Sequence, residues 1–110
     1  MKNEDKMEVL KASVINEIRN FASKSKPITA DKLCSNFNIT FRHLKQIITA
    51  LREDYPIVAK ETDGGGYWLA ESENDIIEYI NMINRRKRGY ENTIKIMNRF
   101  LVDYDNIPTI

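Results

Sequence analysis

The chain has 110 residues, of which 42% are apolar and 30% are charged, a composition typical of one folded domain. It contains neither an apolar run near the ~20 residues that cross a membrane nor the apolar segment of a secretion signal, so we expect a cytoplasmic protein with no membrane partner. The net charge is only +1, so any affinity for a polyanion must come from local patches of charge.

The chain has a single cysteine, Cys34, and a single histidine, His43. One cysteine excludes an internal disulfide, and its place beside Leu33 in an amphipathic segment is typical of a small core residue. One cysteine and one histidine are too few for a structural zinc site, and no base accompanies the thiol. We therefore expect no metal, no cofactor and no enzymatic activity.

A first helix is predicted from about Glu4 to Ala22, and the segment 23–27 (SKSKP) should end it. Its apolar residues recur at steps of three and four and form one stripe, which should face the core. The members of this stripe are Met7, Leu10, Val14, Ile18 and Phe21.

Two shorter helices joined by a tight turn follow. Thr29 is suited to cap a helix that ends near Phe37, and Thr40 is suited to cap the next, which runs from Phe41 to about Glu53. This third helix should bury Leu44, Ile47, Ile48 and Leu51, which leaves its polar residues on the opposite face.

The pattern then changes from helix to strand. Residues Ile57–Glu61 and Tyr67–Ala70 are short β-prone runs, and the segment between them, TDGGG, has the glycines that a hairpin tip requires. Trp68 alternates with its neighbours and is expected in the core. The sequence therefore predicts a two-stranded antiparallel hairpin.

The C-terminal region is predicted to be helical, with Ser72 and Asp75 forming a capping box at its start. Gly89 after four basic residues could split this region into a helical hairpin, but the unbroken apolar phase favours one long helix. Lys87 is the one polar member of that seam, a placement that tends to fix register and low oligomer number. The seam comprises Ile76, Ile80, Ile83, Lys87, Tyr90, Ile94, Met97 and Leu101.

The order of these elements and the segment 27–70 resemble the winged helix-turn-helix domain of small phage and prophage proteins, and the resemblance extends over about Met7 to Leu101. It implies a mainly α-helical fold with a small β-hairpin: a winged helix-turn-helix over residues 1–70 and a helical tail over 71–110. The domain positions that match are Thr29, Leu33, Ile39, Arg42, Leu44, Ile47, Ile48, Leu51, Arg52, Pro56, Ile57, Gly65, Gly66 and Tyr67. Those that match in the tail are Ala70, Glu71, Arg85, Arg86, Gly89 and Tyr90.

The resemblance implies double-stranded DNA as a partner, with the third helix in the major groove and the hairpin, or wing, on the backbone. The function would then be that of a phage-type transcriptional regulator or replication accessory factor. Alternatively, the basic, polar face of the third helix is simply an ordinary solvent-exposed surface. The positions that would contact DNA are Thr40, Arg42, His43, Lys45, Gln46, Thr49, Arg52 and Lys60.

The few cations of one copy would bind DNA weakly, so specific binding would need a second copy. The apolar seam could supply it as a homodimer through the C-terminal helix, by Ile76, Ile80, Ile83, Tyr90, Ile94, Met97 and Leu101, or it could pack on the first helix. Because Glu61 and Asp63 offset Lys60 in the wing, a second function stays open. In it, the same scaffold docks on a host or phage protein, as some phage-encoded inhibitors such as anti-CRISPR proteins do.

Overall fold

The computed structural model describes residues 3–61 and 65–102, with side chains for 6–61 and 65–100. The described part is mainly helical with one two-stranded antiparallel hairpin, which confirms the predicted class. It divides into two compact units, one ending at Tyr79 and one starting at Ile80. None of the described helices is long and apolar enough to cross a membrane. The elements are α1 (Asn3–Phe21), α2 (Ala30–Phe37), α3 (Phe41–Leu51), β1 (Ile57–Lys60), β2 (Gly66–Leu69) and α4 (Glu73–Val102).

The core of the first unit forms where the apolar faces of the first three helices meet the hairpin. Four of the five residues in the α1 stripe are in or against it as predicted, with Val14 and Ile18 fully buried. Phe21 is a correction, because it is 68% exposed, and Ile15 joins the core instead. Phe21 is the last residue of α1, and its side chain lies outside the buried face of the helix. The fully buried side chains contributed by the next two helices are Leu33, Leu44, Ile47 and Ile48.

Both predicted threonine caps are confirmed. The Oγ1 atom of Thr29 accepts a hydrogen bond from the backbone N–H of Lys32 at 3.1 Å, and Thr40 Oγ1 accepts one from His43 at 3.1 Å. Between them Asn38 adopts a left-handed conformation with φ 51°, which an asparagine tolerates better than most residues. This turn fixes where α3 begins relative to α2.

The hairpin is joined to the segment before α2 by a contact that the sequence pattern did not reveal. The N–H of Ile28 donates to the carbonyl of Tyr67 at 3.0 Å, and the N–H of Tyr67 donates back at 2.8 Å. The hairpin itself pairs Ile57 with Leu69 through Lys60 with Gly66. Its predicted tip at 62–64 lies outside the described residues.

Gly66 makes the close approach of the hairpin to residues 27 and 28 possible. Its φ is +134°, and a Cβ placed there would lie 2.6 Å from the Cβ of Pro27 and 3.1 Å from the carbonyl oxygen of Ile28. Any other residue at this position would therefore have a strained backbone conformation, and its Cβ would displace the bridge between Ile28 and the hairpin.

The start of α4 is built around Asp75, which is 2% exposed. Its backbone N–H meets the hydroxyl of Ser72 at 3.3 Å, as in a capping box. Its carboxylate differs from the predicted box, because it accepts from the N–H of Glu71 at 2.9 Å and from the indole N–H of Trp68 at 3.3 Å. Two donors are available just before the helix, so the carboxylate turns back towards β2 instead of closing on Ser72.

Lys24 completes this group, which we name the Asp75 cluster (Lys24, Trp68, Glu71 and Asp75). Its ammonium lies 3.0 Å from Asp75 Oδ1, an atom that no donor among the described residues reaches in hydrogen-bond geometry. Its backbone N–H also donates to the Glu71 carboxylate at 3.0 Å. The Glu71 N–H, and then the Lys24 ammonium, lower the pKa of Asp75, and the carboxylate in turn raises the pKa of Lys24. The cluster ties the segment after α1 to β2 and to the first turn of α4.

Gly89 does not interrupt α4, which confirms one long helix rather than a helical hairpin. The hydroxyl of Thr93 donates to the carbonyl of Gly89 at 3.1 Å, one turn back along the helix. A Cβ at Gly89 would meet nothing within 4 Å. The glycine therefore weakens the helix without being required by its surroundings.

We expect Asp75→Asn to lower the free energy of unfolding at neutral pH, because an amide cannot form the ion pair with Lys24. Because folding lowers the pKa of the Asp75 carboxyl, its contribution to the free energy of unfolding is complete above pH 3.8, the ordinary pKa of the group. This contribution is lost as the pH falls through the folded-state pKa. Because folding raises the pKa of the Lys24 amine, its contribution is complete below pH 10.5, the ordinary pKa of that group. It is lost as the pH rises through the folded-state pKa. Urea unfolding followed by Trp68 fluorescence should show a wild-type advantage that is constant between these limits and shrinks beyond each. Equal midpoints for the variant and the wild type at neutral pH would contradict the role of the cluster, and the exposed Glu73→Gln serves as control.

Two glycine substitutions should act in opposite directions. Gly66→Ala should lower the free energy of unfolding by about 1–3 kcal/mol, because the residue would keep a strained φ and meet Pro27. Gly89→Ala should raise the helix content of α4, with a gain of up to about 1 kcal/mol in helix stability. Circular dichroism during thermal unfolding measures both. A neutral effect of Gly66→Ala would mean that the hairpin does not need its close approach to Pro27.

Candidate nucleic-acid interface

The outward face of α3 is set by what the helix buries. Leu44, Ile47, Ile48 and Leu51 are at most 3% exposed and confirm the predicted stripe. Successive residues of a helix turn by about 100°, so the remaining positions point away from this stripe. From Phe41 to Arg52 the face includes no acidic residue. The positions that lie exposed on it are Arg42, Lys45, Gln46, Thr49 and Arg52.

Three of these side chains are accessible and suited to contact a ligand. Arg42 and Gln46 make no hydrogen bond or ion pair with any described residue, so their donors and acceptors face solvent. The ammonium of Lys45 lies 4.7 Å from the centre of the Phe41 ring, one turn earlier. Phe41 is 51% exposed, so this contact leaves the cation at the surface. Sequence reasoning treated Phe41 only as the start of the helix and missed it as part of this face.

His43 is only half-buried rather than exposed, which corrects its predicted place on the outer face. It lies next to Leu44 in the chain and one turn before Ile47, at the border of the buried stripe. Its backbone N–H is used by the cap on Thr40. The imidazole is therefore at the edge of the basic face instead of at its centre.

Two hydroxyls predicted to contact DNA already have partners within the protein. The oxygen of Thr40 accepts the capping hydrogen bond, which leaves its own hydrogen available to an external acceptor. The hydroxyl of Thr49 donates to the carbonyl of Lys45 at 2.8 Å, so its hydrogen is used inside the helix. Thr40 thus remains a possible donor to a phosphate, whereas Thr49 can only accept.

Arg52 is held by the protein itself. Its Nε donates to the carbonyl oxygen of Ile57 at 2.9 Å, and the centre of its guanidinium lies 5.0 Å from the Tyr79 ring. These contacts link the end of α3 to the first residue of β1 and to the first turns of α4. Because Tyr79 is far from Arg52 in the chain, the spacing of charges along α3 did not indicate this role.

The wing adds little positive charge. Lys60 is half-buried at the end of β1, opposite Gly66, and the adjacent Glu61 is exposed and already has a partner in the protein. Asp63, which we expected to offset Lys60, lies outside the described residues. Between the wing and α3, the exposed positive charge is therefore concentrated on α3.

The apolar seam predicted for dimerisation is exposed along α4 in the single chain. The six members whose side chains are described range from 38% exposed at Ile76 to 70% at Tyr90. Leu101, the last predicted member, has a side chain outside the described residues. The other exposed members are Ile80, Ile83, Ile94 and Met97.

We expect Arg52→Ala to lower the free energy of unfolding by about 1–2 kcal/mol, because it removes a charge-assisted hydrogen bond and an aromatic contact. Arg42→Ala, on the same helix but without partners among the described residues, should change it by less than about 0.5 kcal/mol. Urea unfolding of both variants tests the difference. If Arg52→Ala is as stable as the wild type, its contacts with Ile57 and Tyr79 do not support the fold.

Comparison with known proteins gives no match: no protein-family model matches this chain, and no curated protein does so either. Residue roles therefore cannot be transferred from relatives. The function is therefore inferred from the geometry and chemistry of the described residues, above all from the exposed face of α3.

Proposed function

We propose that this chain is a DNA-binding protein of the winged-helix type that inserts α3 into the major groove and acts as a dimer. Its role would be that of a phage-type transcriptional regulator or a replication accessory factor. The order of helices, the tight turn before α3 and the following hairpin support this assignment. The paired backbone bonds between Ile28 and Tyr67 support it too, because this single antiparallel bridge holds the hairpin against the segment before α2.

The observation that carries the proposal is the acid-free, exposed face of α3, where Arg42 and Gln46 have no partner among the described residues. An arginine can bind the O6 and N7 atoms of guanine with two hydrogen bonds, and a glutamine can do the same to N6 and N7 of adenine. Lys45 provides a further cation for phosphate or guanine. Side chains that read bases must be free to form paired hydrogen bonds, and these are.

The other candidates take supporting roles. Thr40 at the start of α3 can donate its hydroxyl hydrogen to a phosphate while it caps the helix. Arg52 keeps α3 in place through Ile57 and Tyr79, so it is a positioning residue. His43 and Lys60, both half-buried, would contact the backbone at the border of the interface.

A small number of cations limits the affinity of one copy. With three or four phosphate contacts, the binding constant depends on salt with a log–log slope of only about −3 to −4. So few contacts contribute too little to the affinity for tight binding at physiological salt. Two copies would double the contacts and would read two half-sites. The exposed seam of α4 is the surface that would bring them together.

We expect Arg42→Ala to weaken binding to a selected duplex by about 1–3 kcal/mol and to relax its sequence preference, and Lys45→Ala to weaken binding to all duplexes and reduce the salt slope by about 1. Selection from a random duplex pool, followed by fluorescence anisotropy at several salt concentrations, measures both effects. Lys6→Ala, an exposed cation on α1, is the matched control. Binding that is unchanged by both α3 substitutions would remove this function.

A protein-docking function on the same scaffold is the second candidate. The exposed Glu61 beside Lys60 favours it, because an acidic wing repels a DNA backbone. A partner recovered from bacterial lysate after nuclease treatment, and lost in Glu61→Lys but retained in Arg42→Ala, would support it. Retention in Glu61→Lys with loss in Arg42→Ala would favour the nucleic acid interface.

A further inference from the structure

The part of α4 in the second unit has an apolar stripe with a cation at its centre. Five large apolar residues and Lys87 recur at alternating steps of three and four, the spacing of a coiled-coil seam. Each of the apolar members is at least 43% exposed. From the N-terminal to the C-terminal end, this central stripe consists of Ile80, Ile83, Lys87, Tyr90, Ile94 and Met97.

We propose that a second copy of this chain covers the central stripe with its α4 running in the opposite direction, so that Lys87 of each copy lies level with Tyr90 of the other. This inference rests on the proposed function only for the statement that the chain is a dimer. It adds the direction and register of the two helices, which the assignment of α3 to DNA does not require.

A second copy fits the stripe because the stripe is complementary to itself in that orientation. In an antiparallel coiled coil, each a position of the heptad faces a d position of the other helix. In a parallel coiled coil, a faces a and d faces d. Aligning Lys87 with Tyr90 sets Ile83 against Ile94 and Ile80 against Met97. Each large aliphatic residue then meets another, and no layer is left unfilled.

The charge of Lys87 selects the antiparallel direction. A parallel, in-register pair would set the two Lys87 ammonium groups against each other inside the seam, and like charges in such a place are strongly unfavourable. In the antiparallel pair each ammonium meets the electron-rich ring of Tyr90 from the other chain. The carboxylate of Glu91 is one residue away from that ring and supplies an opposite charge.

One ion pair would favour the parallel direction, but it is too weak to reverse the preference for the antiparallel one. In a parallel pair, Arg86 of one chain would lie beside Glu91 of the other, at the edge of the seam. Ion pairs at solvent-exposed edges contribute little in water. Arg86 is also engaged already within its own chain. The central Lys87 therefore decides the orientation.

The two directions also differ in the distance between the two Ile80 positions. Ile80 lies level with position 97 of the other chain, so at a rise of about 1.5 Å per residue the two Ile80 positions are about 26 Å apart along the axis. A parallel pair would hold them about 10 Å apart. The distance between the two Ile80 positions therefore distinguishes the two directions.

Cysteine crosslinking tests the direction, in a Cys34→Ala background that removes the native thiol. Under mild oxidation, Ile80→Cys alone and Met97→Cys alone should form little disulfide-linked dimer, whereas an equimolar mixture of the two should form the mixed dimer efficiently. A parallel pair would crosslink each single variant to itself. Self-crosslinking of Ile80→Cys, or no crosslinking in the mixture, would overturn the proposal.

A charge exchange tests the same contact without cysteine. Lys87→Glu should weaken the dimer by about tenfold or more in dissociation constant, because the introduced carboxylate would face that of Glu91 in the other copy, twice by symmetry. Lys87→Glu combined with Glu91→Lys should restore the dissociation constant to within about threefold of the wild type. Parallel helices would keep two like charges at position 87, so failure of the double variant to recover would contradict the antiparallel register. Sedimentation equilibrium without DNA measures all three proteins.

The outcomes separate this inference from the proposed function. A crosslinked antiparallel dimer that binds no duplex would support the pairing and remove the function. A chain that binds selected duplexes through Arg42 yet sediments as a monomer at high micromolar concentration would support the assignment of α3 to DNA and overturn the pairing.

Discussion

The buried carboxylate of Asp75 is the constraint on which the arrangement of the first unit depends. A charge removed from water must be compensated by partners, and a carboxylate with its partners in place holds them rigidly. The partners come from the segment after α1, from β2 and from the residues before α4, at distances of 2.9 to 3.3 Å. The hairpin and the start of α4 are therefore joined to the helical core by polar contacts as well as by burial of Trp68. The hairpin and the start of α4 in turn form the frame against which Arg52 holds the end of α3.

Within that frame the basic residues of α3 divide into two groups by their partners rather than by their position in the sequence. Arg52 is used to hold the end of the helix against β1 and α4 through Ile57 and Tyr79. Arg42 lies on the same helix and has no such partner among the described residues. An arginine whose Nε–H already donates within the protein is held in one orientation and offers a ligand fewer donors than one whose donors all face solvent. The part of the surface best suited to contact bases is thus the first two turns of α3.

Local patterns in the sequence were sufficient to predict the elements. The threonine caps, the buried stripe of α3 and the glycines before β2 depend on neighbours within one turn or one hairpin, and a sequence displays these directly. Contacts between distant segments were not predictable in this way. The bridge from Ile28 to Tyr67, the ion pair of Lys24 with Asp75 and the stacking of Arg52 on Tyr79 each join residues far apart in the chain. The exposure of Phe21 and the half-burial of His43 follow from the same limit, because they depend on where other elements end.

The low net charge of the chain and the cation in its central stripe both bear on the proposed binding of DNA by a dimer. Because a protein with a net charge of +1 has no general attraction to a polyanion, the proposed DNA binding would need a few side chains held in position and presented twice. An entirely apolar stripe would bring two copies together more tightly, but in either direction and in several registers. Lys87 weakens the pairing and in return disfavours the arrangements in which it has no ring or carboxylate to meet. In the proposed antiparallel pair, the position of Lys87 therefore selects one direction and one register among those that an apolar stripe alone would permit.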